Sequence, residues 1–239
     1  MKNIFNTFIN YLAPEDIKCI CCDEELFDTR EDGLCDKCRQ GLSYITKACD
    51  KCGREIYDEG KYCIDCKDAT YAFDKVYSCL NYDGTITKLI YNLKYDGQKF
   101  LAPYLAGFIV EKIKKANIKF DILTYVPLNI NRQRKRGFNQ AELIANEVAK
   151  RLGITTTCLL QRVKDTPFQA RLTRDERINN LNDAFNLVDK KAVKGKTILL
   201  LDDIFTTGTT LNECSKLLKS GKAKSVLGIT LSHAKKKFV

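Results

Sequence analysis

The stretch that decides the fold is ILLLDDIFTTGTTL, residues 198–211. It begins with four aliphatic residues, continues with the adjacent acids Asp202 and Asp203, and ends in a threonine-rich turn around Gly208. An aliphatic run of this kind is typical of a strand buried on both faces, as in a parallel sheet. Such sheets bind their ligands beyond the carboxyl ends of the strands. The pattern therefore predicts that both carboxylates and the turn face a ligand.

The residue types of the turn indicate which ligand this is. Gly208 permits a tight bend, and the backbone N–H groups, the hydroxyls and the start of a helix can then converge on an anion. A phosphate monoester suits this loop, whose candidate residues are Thr206, Thr207, Gly208, Thr209 and Thr210. The two acids suit a diol or a hydrated Mg²⁺, because carboxylates only accept hydrogen bonds and repel phosphate. A phosphate beside a cis-diol is the pattern of a ribose 5-phosphate.

Strand-like and helix-like segments alternate along the second part of the chain, residues 71–239. Residues 75–82 and 225–232 alternate or run apolar like strands, whereas residues 139–153 have helical spacing between a capping-box-like start and Gly153. Alternation of this kind predicts an α/β domain with a mainly parallel sheet flanked by helices.

Eight of the nine cysteines in the first part, residues 1–70, form four CxxC pairs: Cys19/Cys22, Cys35/Cys38, Cys49/Cys52 and Cys63/Cys66. Two such knuckles supply four thiolates to one tetrahedral zinc ion, so the spacing predicts a small module with two structural zinc sites. The spacing alone leaves open whether the pairs combine sequentially or in a cross-braced way. Cys21, inside the first knuckle, is a competing ligand.

Composition and charge restrict the class of protein. The 239 residues include no apolar run long enough to span a membrane, and the first residues are too short and Asn-rich for a signal peptide. We predict an amphipathic helix there and a cytoplasmic protein. Residues 1–70 hold 10 basic and 15 acidic residues (net −5), whereas residues 71–239 hold 30 and 15 (net +15). An anionic partner is therefore expected to meet the second part.

Two basic segments are further candidates for anion binding. Arg132, Arg134 and Arg136 lie two residues apart, so an extended loop after a strand would present them on one side. We interpret them as a pyrophosphate-binding loop, with contacts to nucleic-acid phosphates as the rival interpretation. Arg162 and Gln169 belong to a segment that we expect to close over the site as a flap.

The motif at residues 198–211 resembles the PRPP-binding motif of type I phosphoribosyltransferases, and Phe205 is its one departure, because a smaller aliphatic residue is usual there. The segments VPLNINRQRKRGFNQAELIA (126–145) and QRVKDTPFQARLTRDERINNLNDAF (161–185), together with the Cys-rich start, resemble the ComF/GntX family of competence proteins. This resemblance implies a type I phosphoribosyltransferase fold preceded by a double zinc ribbon.

The resemblance also implies roles for the site. Asp202 and Asp203, the candidate catalytic residues, would hold the ribose hydroxyls of PRPP, and Thr206 through Thr210 would hold its 5-phosphate, with Mg²⁺ on the pyrophosphate. It implies a part in handling single-stranded DNA during natural transformation. Three functions remain in competition: a PRPP-binding protein of DNA uptake, an active phosphoribosyltransferase of unknown acceptor, and a scaffold whose zinc module docks a competence helicase or another DNA-uptake protein.

Overall fold

A computed structural model describes residues 17–26, 32–163 and 184–234 of the chain. The helices of these residues are α1 (Asp36–Gln40), α2 (Gly84–Tyr95), α3 (Ala102–Lys115), α4 (Ile130–Arg136), α5 (Gln140–Leu152), α6 (Lys190–Val193) and α7 (Thr209–Ser220). The strands are β1 (Lys75–Asn81), β2 (Ile122–Tyr125), β3 (Leu160–Arg162), β4 (Phe185–Leu187), β5 (Thr197–Phe205) and β6 (Ser225–His233).

Four strands form one parallel sheet in the order β1-β6-β5-β2, which confirms the predicted fold class. The aliphatic run of β5 is central, and successive side chains enter opposite hydrophobic clusters. Leu199 and Leu201 pack with helices α2, α3 and α5 on one face. Ile198 and Leu200 pack with α7 on the other face. Burial on both faces explains why the run has no polar alternation.

The Cys-rich module covers the β1 edge of the sheet. Val76 N donates to Lys51 O at 2.9 Å, Asn81 N donates to Ser43 O at 2.8 Å, and Tyr44 forms an antiparallel bridge with Leu80. An uncovered edge strand would offer its N–H and C=O groups to another chain. The module therefore completes the sheet as well as preceding it in sequence.

Strands β3 and β4 pair with each other, antiparallel, in a separate two-stranded sheet. The strand expected over residues 157–163 is thus shorter than expected and lies outside the main sheet. The predicted N-terminal helix, most of the predicted flap including Gln169, and the basic C-terminus fall outside the described residues. No helix of the described ranges is both long and apolar enough to cross a membrane. The domain boundary at residue 70 stays a prediction.

Candidate functional site

The carboxyl end of β5 opens into a cavity of about 370 Å³. Its walls come from distant segments of the chain, which the parallel sheet brings to one edge. Among its lining residues are Arg132, Arg136, Arg162, Asp202, Asp203, Thr206 and Thr210. These are seven of the candidate site residues, so the sheet brings acids, hydroxyls and guanidinium groups to one place. Such a donor and acceptor set suits a ligand that carries both hydroxyls and phosphates.

The turn after β5 is stabilised by the packed ring of Phe205 and by a hydrogen bond between two of its own threonines. Gly208 has φ +76°, and a Cβ there would lie 2.5 Å from the ring of Phe205. The hydroxyls of Thr207 and Thr209 hydrogen-bond to each other at 2.8 Å, whereas Thr206 and Thr210 line the cavity. The bulky Phe205 therefore supports the loop, and glycine is needed where the loop passes over its ring.

The ring of Phe205, which packs against this loop, also contacts the buried imidazole of His233. The ring of Phe205 stacks on His233 with centroids 4.7 Å apart, and His233 Nδ1 lies 2.9 Å from Ala234 O. Burial lowers the pKa of His233 to about 4, so its imidazole is neutral at pH 7. His233 thus supports the site as a packed ring and is poorly suited to act as a base.

The two acids differ in their surroundings. Lys94 Nζ on α2 lies 2.7 Å from Asp203 Oδ2, and both side chains are largely buried. No lysine or arginine of the described ranges forms an ion pair with Asp202, and its burial together with the neighbouring charge of Asp203 raises its pKa to about 7. One charged and one partly protonated carboxylate can share a site, because two ionised acids side by side would repel each other.

This arrangement predicts how stability depends on pH. An acid whose pKa is raised from 3.8 to about 7 stabilises the fold fully below pH 4, and this contribution is lost as pH rises to 7. Asp202→Asn removes the titration. We expect the variant to equal the wild type in stability near pH 4 and to exceed it by about 2 kcal/mol above pH 7, half of the full linkage value because the residue is partly exposed.

The measurement is urea unfolding of both proteins between pH 4 and 8.5. Only the difference between variant and wild type counts, because His233 and other acids titrate within this range. A difference that does not grow with pH would contradict the assignment of the raised pKa to Asp202.

The basic segment after β2 is helical, so the expectation of an extended loop was wrong. Asn129 caps α4 by accepting hydrogen bonds from Asn131 N (2.8 Å) and Arg132 N (3.3 Å), and the helix ends at Gly137. Helical spacing places Arg132 and Arg136 on one face, and both line the cavity, whereas Arg134 is exposed and does not. The local cap outweighs the extended conformation because it satisfies two N–H groups at once.

Two four-cysteine zinc-binding clusters lie in the Cys-rich module. Their members combine sequentially, with ligand atoms within 4.8 Å of one another: Cys19, Cys22, Cys35 and Cys38 in the first, and Cys49, Cys52, Cys63 and Cys66 in the second. The structure thereby selects sequential pairing and leaves Cys21 outside the ligand set. Four thiolates at tetrahedral spacing match a closed structural zinc site without an open position for chemistry.

The two knuckles differ at one backbone position. Gly53 has φ +74° and approaches β1 so closely that a Cβ would lie 2.6 Å from Val76 O. Asp23 occupies the corresponding place in the first knuckle with φ +61°. Asp23→Gly should relieve strain of about 1 kcal/mol and slow the release of zinc from the first cluster to a chelator. Equal release rates in variant and wild type would contradict this expectation.

The comparisons with known proteins agree with this architecture. The chain is 30% identical over 226 residues to Competence protein F of Haemophilus influenzae, covering 92% of this chain and 93% of that protein. The chain belongs to the ComF family of competence proteins. A phosphoribosyl transferase domain model matches residues 139–237, and a double zinc ribbon domain model matches residues 8–67.

Two further similarities were found, one to a curated protein and one to a solved structure. DNA utilization protein YhgH of Salmonella typhimurium is 28% identical over 200 residues, covering 81% of this chain and 87% of that protein. Among solved structures, adenine phosphoribosyltransferase from Thermoanaerobacter pseudethanolicus is 15% identical with a TM-score of 0.37, covering 58% of this chain and 83% of that chain.

Lys94 is a site residue of this ComF-family chain that was not predicted from the sequence. Its ammonium group contacts Asp203 across a separation of more than one hundred residues. The only sequence signal is its helical position between Tyr91 and Tyr95, which line the same cavity. Locating that face over the end of β5 requires the sheet order.

Proposed function

We propose that this protein binds PRPP with Mg²⁺ in the cavity at the end of β5 and takes part in handling single-stranded DNA during natural transformation. One observation carries the proposal: both acids, two threonines of the turn and two arginines of α4 line the same cavity. The phosphoribosyl transferase domain match over residues 139–237 includes the acids and the turn.

The chemistry of the lining assigns a part of PRPP to each group. Asp202 and Asp203 accept hydrogen bonds from the ribose hydroxyls. The N–H and hydroxyl groups of the turn from Thr206 to Thr210 donate hydrogen bonds to the 5-phosphate. Arg132 and Arg136 face the pyrophosphate, whose charge Mg²⁺ neutralises when bound. The contact of 2.7 Å with Lys94 Nζ positions the Asp203 carboxylate, which can accept a hydrogen bond from a ribose hydroxyl.

The DNA part of the proposal is supported by relatives and by charge. The names of two relatives refer to competence and to DNA utilization. Residues 71–239 carry a net charge of +15, and Arg134 and Lys135 of α4 are exposed, where nucleic-acid phosphates can reach them. None of the twelve cysteines forms a disulfide, which fits a reducing compartment, and we propose a cytoplasmic location.

Calorimetric titration of the zinc-loaded protein with Mg²⁺–PRPP tests the proposal. Arg132→Ala is expected to weaken binding about tenfold or more, because a charge-assisted hydrogen bond is lost. Arg134→Ala is the matched control on the same helix, and it should leave PRPP binding unchanged while reducing the salt dependence of single-stranded DNA binding. Absence of binding to the wild type at millimolar PRPP would refute the proposal.

An active phosphoribosyltransferase is a second candidate, favoured by the aromatic residues that line the cavity together with the acids. The cavity extends past Asp202 to Tyr82, Tyr91 and Tyr95, so an acceptor has room next to the ribose. Such a transfer would break the bond between the anomeric carbon and pyrophosphate and form one to a nitrogen nucleophile, with catalysis by positioning and electrostatics. Release of pyrophosphate in the presence of an acceptor base distinguishes this candidate.

A further inference from the structure

Two tyrosines on α2 expose their rings beside the cavity. Tyr91 and Tyr95 lie one helical turn apart, each is 53% exposed, and their ring centroids are 4.9 Å apart with the planes tilted by 43°. Rings packed against each other in this way form one aromatic surface, which we call the tyrosine pair. Large exposed aromatic surfaces commonly mark a binding site, because their burial by a ligand is favourable.

The tyrosine pair is continuous with the proposed ribose site. Both rings line the cavity that contains Asp202 and Asp203. Lys94 lies between them in sequence on the same helix, and its contact of 2.7 Å with Asp203 fixes the helix against the end of β5. The tyrosine pair and the two acids therefore line neighbouring parts of one cavity.

Cations border the same surface. The guanidinium carbon of Arg136 lies 5.4 Å from the centroid of the Tyr95 ring, and its side chain also donates to Gln140. The guanidinium group is thus held beside the rings. A flat aromatic group attached to a phosphate fits this combination, since it can stack on a ring while its anion meets the arginine. An apolar protein segment would cover the arginine and the acids without offering them a hydrogen bond.

We infer that the tyrosine pair is a nucleobase-stacking site that extends the proposed PRPP site. The base belongs either to a strand of single-stranded DNA or to a free nucleotide, since both present the same stacking face and the same phosphate. The inference rests on the proposed function for the identity of the neighbouring sugar site. Stacking itself is measured in the absence of PRPP, so the two are tested separately.

The absence of tryptophan from the chain permits a direct optical test. Tyr91→Trp introduces a single tryptophan at the tyrosine pair, and Tyr62→Trp introduces one at an exposed position of the zinc module as the matched control. Oligothymidylate about eight nucleotides long and thymidine monophosphate are the two probes. A stacked base is expected to quench the tryptophan at position 91 saturably and to leave the control unaffected.

The outcomes of the quenching experiment distinguish the source of the base and test the stacking site. Quenching by the oligonucleotide at micromolar concentration, with none by the mononucleotide at the same nucleotide concentration, supports DNA as the source of the base. Equal quenching by both supports a free nucleotide. No quenching by either, or equal quenching of the control variant, would overturn the inference.

A second set of variants separates ring stacking from other contacts. Tyr91→Ala with Tyr95→Ala should lower affinity for the better probe about tenfold or more, because stacking on aromatic rings is lost. Tyr91→Phe with Tyr95→Phe retains both rings and should bind like the wild type. Unchanged affinity of the alanine variant would also overturn the inference, whereas failure of PRPP to bind in calorimetry, with stacking retained, would refute the proposed function alone.

Discussion

Replacing Asp202 and Asp203 together by asparagine is expected to abolish binding of Mg²⁺–PRPP, with a loss of at least about a hundredfold in affinity. Each carboxylate would accept a hydrogen bond from a ribose hydroxyl, and hydrogen bonds to charged groups contribute about 1.5–3 kcal/mol each. Asparagine keeps the shape but replaces one acceptor oxygen by a donor. The remaining turn from Thr206 to Thr210 would then hold the phosphate without orienting the sugar.

The single variants should differ in stability. Asp203→Asn leaves the ammonium group of Lys94 without its counterion at a site where both side chains are largely buried, so we expect a loss of stability. Asp202→Asn removes a carboxylate with a raised pKa and should be stabilising at neutral pH. Opposite signs of the two changes would support the separate surroundings of the two acids. Asp202→Asn would then raise stability while it lowers PRPP binding. Such a trade-off between stability and function is common at binding sites.

The matched control for the double variant removes the same charge elsewhere. Glu59→Gln with Asp68→Asn acts on two exposed acids of the Cys-rich module. Calorimetry should show normal PRPP binding by this control and none by the Asp202/Asp203 variant, with equal zinc content in both. Normal binding by the Asp202/Asp203 variant would mean that the ribose lies elsewhere.

Cys49→Ser is expected to remove one of two zinc ions and to lower the stability of the whole chain by several kcal/mol. Cys49 is fully buried and belongs to the same hydrophobic cluster as Phe73, Val76 and the strand β5. Loss of the second cluster therefore exposes part of the core under the sheet and frees the β1 edge. Thermal unfolding and metal analysis together measure the effect.

Neighbouring cysteines provide the control. Cys22→Ser should also cost one zinc ion, whereas Cys21→Ser should retain both, because Cys21 is buried next to the first cluster but is not among its four ligands. A loss of zinc on Cys21→Ser would contradict the assigned ligand set. Retention of two zinc ions by Cys49→Ser would contradict the second cluster.

The sequence by itself determined the features that depend on neighbours along the chain. The aliphatic run of β5, its acids and the turn around Gly208 are local, and so are the CxxC knuckles. Each follows from side-chain periodicity, glycine conformation or thiolate spacing within about ten residues. The fold class, the family resemblance and most of the candidate cavity residues could therefore be predicted from the sequence.

Only the tertiary structure decided which distant groups meet. The contact of Lys94 with Asp203, the sequential pairing of the zinc knuckles and the position of the tyrosine pair depend on sheet order and packing. The separation of Arg132 and Arg136 from Arg134 is a different case, because it depends on the local helix cap at Asn129, which the sequence contains but the charge spacing does not reveal. The local sequence leaves several conformations and pairings nearly equal in free energy. Packing and long-range hydrogen bonds select among them, and these depend on residues far apart in the chain.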